Sequence, residues 1–197
     1  ATQVTSMEEL AALYAAVHAA YPDPEVLTYG GVTGLGYFYS QYGMTTATDW
    51  VEQDRAYRHM IDLCRKSAPN ITVMWSPLGD EEMAKYYPGD DYADLIGLTV
   101  FGLQAWDQAK YGHDRSFDEI FGPRYERAAA FGKPVVVAEL GYVGKEGYVK
   151  TWNASVRQEK PEYPNLVGVV YFNQPEVYPW PEGFGAPDWR VKNQILK

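Results

Sequence analysis

The sequence predicts an α/β fold built on a parallel sheet. Helical and strand patterns alternate from end to end, with no repeat, low-complexity tract or Gly/Ser linker to divide the 197 residues. Two strand segments, 135–138 and 166–172, are apolar and rich in β-branched residues, the composition of parallel strands covered on both faces. A single domain is expected over residues 1–197, since domains commonly run to about 100–200 residues. A doubly wound sheet and a (β/α)8 TIM barrel both satisfy this order.

The elements follow from local signals. Ser6 and Glu9 fit a capping box for a helix over 6–20, with Leu10, Leu13 and Val17 on one face and Pro22 and Pro24 beyond its end. Residues 26–29 read as a short strand closed by Gly30-Gly31. Asp49–Ser67 reads as a helix, with Trp50, Tyr57, Met60, Ile61 and Cys64 at three- and four-residue spacing and Pro69-Asn70 as its stop. Residues 71–75 and 95–101 read as the next strands. Ser116 and Glu119 form a second capping box for a helix to about Phe131, with Pro123 expected to break or stagger it. Gly132 occupies a C-terminal cap position. After strand 135–138, a helix over 147–158 leads to strand 166–172.

Composition excludes several functions. A net charge of −9 disfavours a nucleic-acid partner, because phosphates need local positive charge. No apolar run approaches the roughly 20 residues of a membrane span. No basic segment followed by an apolar stretch opens the chain, so no signal peptide is expected. No GxGxxG or GxxxxGK[ST] follows a strand; Gly30-Gly31 and Gly34-Leu35-Gly36 have other spacings, which argues against nucleotide binding. His18, His59 and His113 lie at no ligand spacing, so neither a metal site nor a cofactor is expected. Cys64 falls on the apolar stripe of its helix, and no GxSxG elbow exists. The aromatic content, 15% with 17 Tyr and 6 Trp, suits a Tyr-rich core and a carbohydrate cleft equally.

Two segments carry chemistry. In Val135-Val136-Val137-Ala138-Glu139-Leu140-Gly141, a carboxylate follows four apolar residues at the expected C-terminal end of a buried strand, the rim where barrel enzymes place their sites. Packing alone gives no reason for a charge there, although a carboxylate opening a surface loop is the bland alternative. The other is Tyr86-Tyr87-Pro88-Gly89-Asp90-Asp91-Tyr92-Ala93-Asp94, leading into the strand at 95. Asp90 and Asp91 are expected to brace this loop rather than to bind metal.

With that segment the sequence resembles glycoside hydrolase family 26, the β-mannanases and related β-glucanases. That family has a Tyr-Pro-Gly-Asp-Asp-Tyr-Val-Asp segment before its sixth barrel strand. Arg58-His59-Met60-Ile61-Asp62 fits the preceding helix and Val73-Met74-Trp75-Ser76-Pro77 the fifth strand. Residues 133–141 fit the seventh strand, and Val169-Val170-Tyr171-Phe172-Asn173 the eighth. The likeness covers residues 50–175, the C-terminal part of the barrel, while 1–45 diverge. In detail it is nearer to hydrolase-like domains linked with bacterial exopolysaccharide synthesis than to secreted mannanases.

The resemblance implies a TIM-barrel-like fold, partial at this length, with five to six strands recognisable. It also implies a retaining hydrolysis of a β-linked poly- or oligosaccharide, with Glu139 as the nucleophile. Trp75, Phe101, Trp106, Tyr142, Tyr171, Asn173 and Trp180 are the candidate sugar contacts. Three departures stand against full activity. The family's acid, a glutamate preceded by histidine after the fourth strand, has no counterpart, since no carboxylate occurs between Glu25 and Asp49. Phe101 replaces a tyrosine that hydrogen-bonds the nucleophile. A complete (β/α)8 barrel needs about 250 residues.

Asp80, Glu81, Glu82 and Glu176 are the candidate substitute acids, each also readable as a solvated loop carboxylate. An open set of strands would expose sheet edges, so a further chain segment or a homo-oligomer is expected to complete the barrel. The alternatives to a hydrolase are a weak or inactive glycan-binding domain serving polysaccharide production and a protein-interaction fragment.

Overall fold

The computed structural model describes residues 49–190 and Ala12, and the side chains from Tyr57 onward within the first helix. The expected helix at 6–20 and strand at 26–29 lie outside the described residues. The chain divides into two units, Ala1–Ile96 and Gly97–Lys197. Four strands occur in the described residues, in the sheet order β1-β2-β3-β4, which follows the chain. The second of them begins in the first unit and continues into the second.

In the first unit, helix α1 (Asp49–Ser67) forms with the predicted limits. Tyr57, Met60, Ile61 and Cys64 are buried, as its apolar spacing requires. Burial also raises the Cys64 thiol pKa. Strand β1 is only Met74–Trp75, pairing in parallel with Leu95 and Ile96, the start of β2 (Leu95–Leu103). The expected strand over 71–75 is shortened for a definite reason. The Val73 N–H donates to the Asp94 carboxylate (2.7 Å), and the Val73 carbonyl accepts from the N–H groups of both Asp94 and Leu95. The ladder therefore starts at Met74.

The Tyr-Pro-Gly-Asp-Asp-Tyr segment forms a clasp on this unit. Gly89 takes φ +98°, a region open to glycine, and leads into a 3₁₀ turn at Asp90–Tyr92. The Tyr57 hydroxyl donates to the Tyr92 carbonyl, and Arg58 lies 5.3 Å from the centre of the Tyr92 ring. Arg65 donates to the Asp91 carbonyl and pairs with Asp94. Asp90 accepts from the Tyr87 hydroxyl. The polar residues of the motif thus fasten α1 to the loop preceding β2.

In the second unit, β2 runs two residues beyond its expected end and passes directly into helix α2 (Gln104–Tyr111). The sequence expectations leave that helix unassigned. It stops at Gly112, φ +77°, whose N–H returns to the Gln108 carbonyl. Helix α3 (Phe117–Ala129) carries both hydrogen bonds of the Ser116/Glu119 capping box. Pro123 does not break it, contrary to expectation. Pro123 and Glu119 are exposed, so the carbonyl that loses its donor faces water. Strand β3 (Val135–Val143), helix α4 (Glu146–Val156) and strand β4 (Leu166–Tyr171) complete the unit, and β3 and β4 are parallel.

Two sequence expectations are corrected here. Residues 166–172 were expected to form a strand buried on both faces. Instead β4 is the last strand of the sheet among the described residues, with Val167, Val169 and Val170 exposed. Strand β3 is also longer than 135–138, so Glu139 sits inside a strand and opens no loop.

The helix-facing side of the sheet is tightly filled. A Cβ on Gly102 would lie 2.5 Å from both Trp152 Cζ2 and the Tyr148 hydroxyl, so only hydrogen fits there. Tyr148 donates to Asp107, which also accepts from Arg115 Nε (2.8 Å). Asp107 is fully buried, and these partners are what make its charge tolerable there. Burial, then Asp107, holds the Tyr148 hydroxyl above its ordinary pKa. Among the described residues, no helix is long and apolar enough to cross a membrane.

Two substitutions probe this packing by urea denaturation. Gly102→Ala is expected to destabilise by about 1–3 kcal/mol through overpacking. Val167→Lys on the exposed edge should stay within about 0.5 kcal/mol of the parent. A costly Val167→Lys would mean that β4 is covered on that side.

Candidate active site

Glu139 is the fifth residue of β3 and lies where the pairing with β4 changes register. Val137 pairs with Val169 and Leu140 with Tyr171, so three steps on β3 match two on β4. The extra residue makes a bulge, a device that re-aims side chains. Val137, Ala138 and Leu140 are buried while Glu139 is half-buried. Its carboxylate accepts a hydrogen bond from Thr99 Oγ1 on β2 (3.2 Å). The guanidinium of Arg124 on α3 donates to the Thr99 carbonyl, bracing the strand at the same residue.

Two residues further along each strand, Phe101 meets Gly141. A Cβ on Gly141 would lie 2.6 Å from Phe101 Cδ1 and 3.0 Å from Trp189 Cε3. The glycine after Glu139 therefore admits two rings against the backbone. Phe101 stacks on Trp189 at 4.6 Å between ring centres and meets Phe172 edge-on. Trp189 extends the cluster to Trp180 (5.6 Å), and Trp180 meets Trp106 edge-on. Trp106 also packs on Phe184 and lies under the Lys110 ammonium.

The segment after β4 is folded back on itself by bridges between Pro175 and Asp188 and between Trp180 and Gly185. The Lys110–Glu182 ion pair ties it to α2. Glu176 accepts from the Trp189 indole N–H (3.2 Å) and from the N–H of Val177. Glu176 is thereby built into the loop that holds Trp189.

The candidate sugar contacts divide into two groups. Phe101, Trp106 and Trp180 share one aromatic cluster with Trp189, and Phe101 lies next to the Thr99–Glu139 pair along the strands. Trp75 belongs to the first unit, is 2% exposed, and has Tyr86 and Tyr87 edge-on against it, so packing occupies its ring. Tyr142 is buried and stacked on Trp152, and its hydroxyl donates to Asn153. Tyr171 donates to the Trp189 carbonyl (2.7 Å), and burial pushes its pKa up to about 12, so it stays a neutral donor. It positions Trp189 from below. Asn173 is exposed just beyond β4.

Among the substitute acids, Asp80 accepts from the Tyr86 hydroxyl and from the N–H of Glu82. Glu82 pairs with Lys85, and Glu81 is exposed. Among the described residues, no group of three His, Cys, Asp or Glu side chains could hold a metal ion.

Two residues of this site were missed in the sequence. Thr99 could have been found from period-two alternation, which puts it on the same face as Phe101. Trp189 gave no local signal, because its role depends on the folding back of a proline-rich tail.

No family model matches the chain. A curated protein, endoglucanase H of Acetivibrio thermocellus, is 24% identical over 148 residues, which cover 70% of this chain and 15% of that protein. Two similar solved structures come from Muricauda sp. MAR_2010_75. GH26C has 15% identity and a TM-score of 0.47 over 66% of this chain and 37% of its own. GH26A has 15% identity and a TM-score of 0.37 over 60% and 34%. A β-D-glucuronidase of Dictyoglomus thermophilum has 13% identity and a TM-score of 0.38 over 61% and 22%. The chain thus spans less than two fifths of each of these proteins. At these low identities the chain is similar to part of an endoglucanase, and GH26 enzymes are among the solved structures it is similar to.

Proposed function

We propose that this chain contributes the nucleophile half of a retaining β-glycan hydrolase site, with Glu139 as the attacking group. The observation that carries the reading is a half-buried carboxylate in the middle of an apolar parallel strand, re-aimed by a bulge and held by Thr99. Similarity to an endoglucanase supports a β-linked glucan as substrate.

In this reading Glu139 attacks the anomeric carbon and forms a glycosyl-enzyme. A second carboxylic acid, about 5–5.5 Å away in retaining enzymes, protonates the leaving oxygen. Thr99 fixes the carboxylate rotamer, the task that a tyrosine hydroxyl performs in family 26 and that Phe101 cannot. Phe101 and the Trp180–Trp106 pair supply apolar ring surface for the sugar C–H faces. Glycan binding with little or no turnover is the second reading. It is favoured by Phe101 at the tyrosine position and by the absence of a His-Glu pair between Glu25 and Asp49. General acid help alone is worth about 10²–10⁴-fold.

A 2-deoxy-2-fluoro-glucosyl fluoride, followed by peptide mass spectrometry, is expected to label Glu139. Labelling elsewhere, or none alongside measurable hydrolysis, overturns its assignment as nucleophile. On mixed-linkage β-glucan, Glu139→Ala should abolish turnover while calorimetry still detects oligosaccharide binding. Thr99→Val removes one hydrogen bond to a charged group and should lower kcat/KM about 10- to 100-fold with little change in KM. Binding without any hydrolysis in the parent chain would select the second reading.

A further inference from the structure

A cavity of about 570 Å³ opens at the carboxyl ends of β2 and β3, lined by Leu103, Gln104, Gln108, Val143, Gly144 and Lys145. Period-two alternation relates it to the candidate active site. Thr99, Phe101 and Leu103 alternate onto one face of β2, and Glu139, Gly141 and Val143 onto one face of β3. The cavity therefore lies four residues beyond the Thr99–Glu139 pair, about 13 Å of strand, past the Phe101 ring.

Its polar wall is rigid. Asp114 accepts from Gln104 Nε2 (2.9 Å) through one oxygen and from Gln108 Nε2 (2.6 Å) through the other. Gln104 Oε1 accepts from the Lys145 N–H (2.7 Å). Gly144 lets the backbone approach, since a Cβ there would lie 2.6 Å from Gln104. These contacts orient both amides and consume only part of their capacity. One N–H on each amide, the Gln108 side-chain carbonyl Oε1 and the Lys145 ammonium remain for a ligand. Amide groups that both donate and accept, beside the apolar walls of Leu103 and Val143, match a pyranose unit, which offers hydroxyls at its rim and C–H groups on its faces.

The geometry points to a distal saccharide subsite in the β2–β3 cavity, which holds a sugar unit of the same glycan chain whose scissile bond lies at Glu139. This rests on the glycan reading above. The site should discriminate by chain length, because a short oligosaccharide at Glu139 does not reach it.

The test is calorimetric titration of the whole chain with cellobiose and cellohexaose, in the parent and in a Gln108→Ala/Lys145→Ala variant. Both residues are exposed; alanine at 108 favours helix α2 and offsets the lost exposed bond to Asp114, and Lys145 makes no side-chain cap for α4, so the variant should melt within a few degrees of the parent. The expected result is cellohexaose affinity reduced about tenfold and cellobiose affinity unchanged within twofold. Equal cellohexaose affinity in parent and variant, or equal weakening for both sugars, overturns the subsite and leaves the Glu139 reading standing. If the parent binds neither sugar, the glycan reading fails and the subsite falls with it.

Discussion

A carboxylate in the middle of a buried parallel strand is the constraint that organises the second unit. Strand β3 is apolar on both sides of Glu139, and an unpartnered charge in such a place would cost several kcal/mol. Three features reconcile the strand with the charge. The pairing with β4 changes register at this residue, which loosens the ladder there. The Thr99 hydroxyl supplies a donor from the neighbouring strand. Partial exposure lowers the cost of holding a charge at this place in the strand. None of these improves packing. Their joint presence is the physical reason to read the residue as a working group.

Glycines on the two neighbouring strands let rings close on both faces of the sheet. Gly102 on β2 receives Trp152 and Tyr148 on the helix side, and Gly141 on β3 receives Phe101 and Trp189 on the side of Glu139. The helix-side contact brings Tyr148 to the buried Asp107 and so locks α2 and α4 to the sheet. The opposite contact brings the folded-back tail across the strands and places Trp180 and Trp106 near one another. The face that carries Glu139 is therefore braced by the packing on its reverse. Tyr171 links the two, meeting Tyr142 edge-on on the helix side while its hydroxyl holds the Trp189 carbonyl.

Much of this was legible in the sequence wherever the determinant was local. The limits of α1 followed from apolar spacing and Pro69, and the start of α3 from a capping box whose two hydrogen bonds both form. Glu139 stood out because a charge interrupted an apolar run. Features set by pairing partners did not show. A short β1 results from the Asp94 side chain competing for the Val73 N–H. The edge position of β4 is a property of strand order, and an apolar run reads the same at a sheet edge as at its centre. Trp75 and Tyr142 were reasonable sugar contacts by residue type. Their burial is decided by Tyr86 and Tyr87 in one case and Trp152 in the other.

In the reading proposed above, Phe101 stands where family 26 has a tyrosine, and its ring is coupled to the stacked tail. The Phe101 ring lies nearly parallel to Trp189, with an interplanar angle of 29°, over a glycine that leaves no spare room. With that ring committed to stacking, the hydrogen bond to the carboxylate comes from a different residue on the same face of β2. Thr99 meets that need two residues earlier, with a short side chain that leaves the ring above it undisturbed. A threonine hydroxyl can rotate and also donate elsewhere, whereas a phenol at the end of a rigid ring has a fixed direction. The Thr99 hydroxyl by itself therefore fixes the direction of its hydrogen bond to Glu139 less tightly than a phenol would. In the reading proposed above, the stacked rings beside the carboxylate then favour retention of the sugar over acceleration of the chemical step.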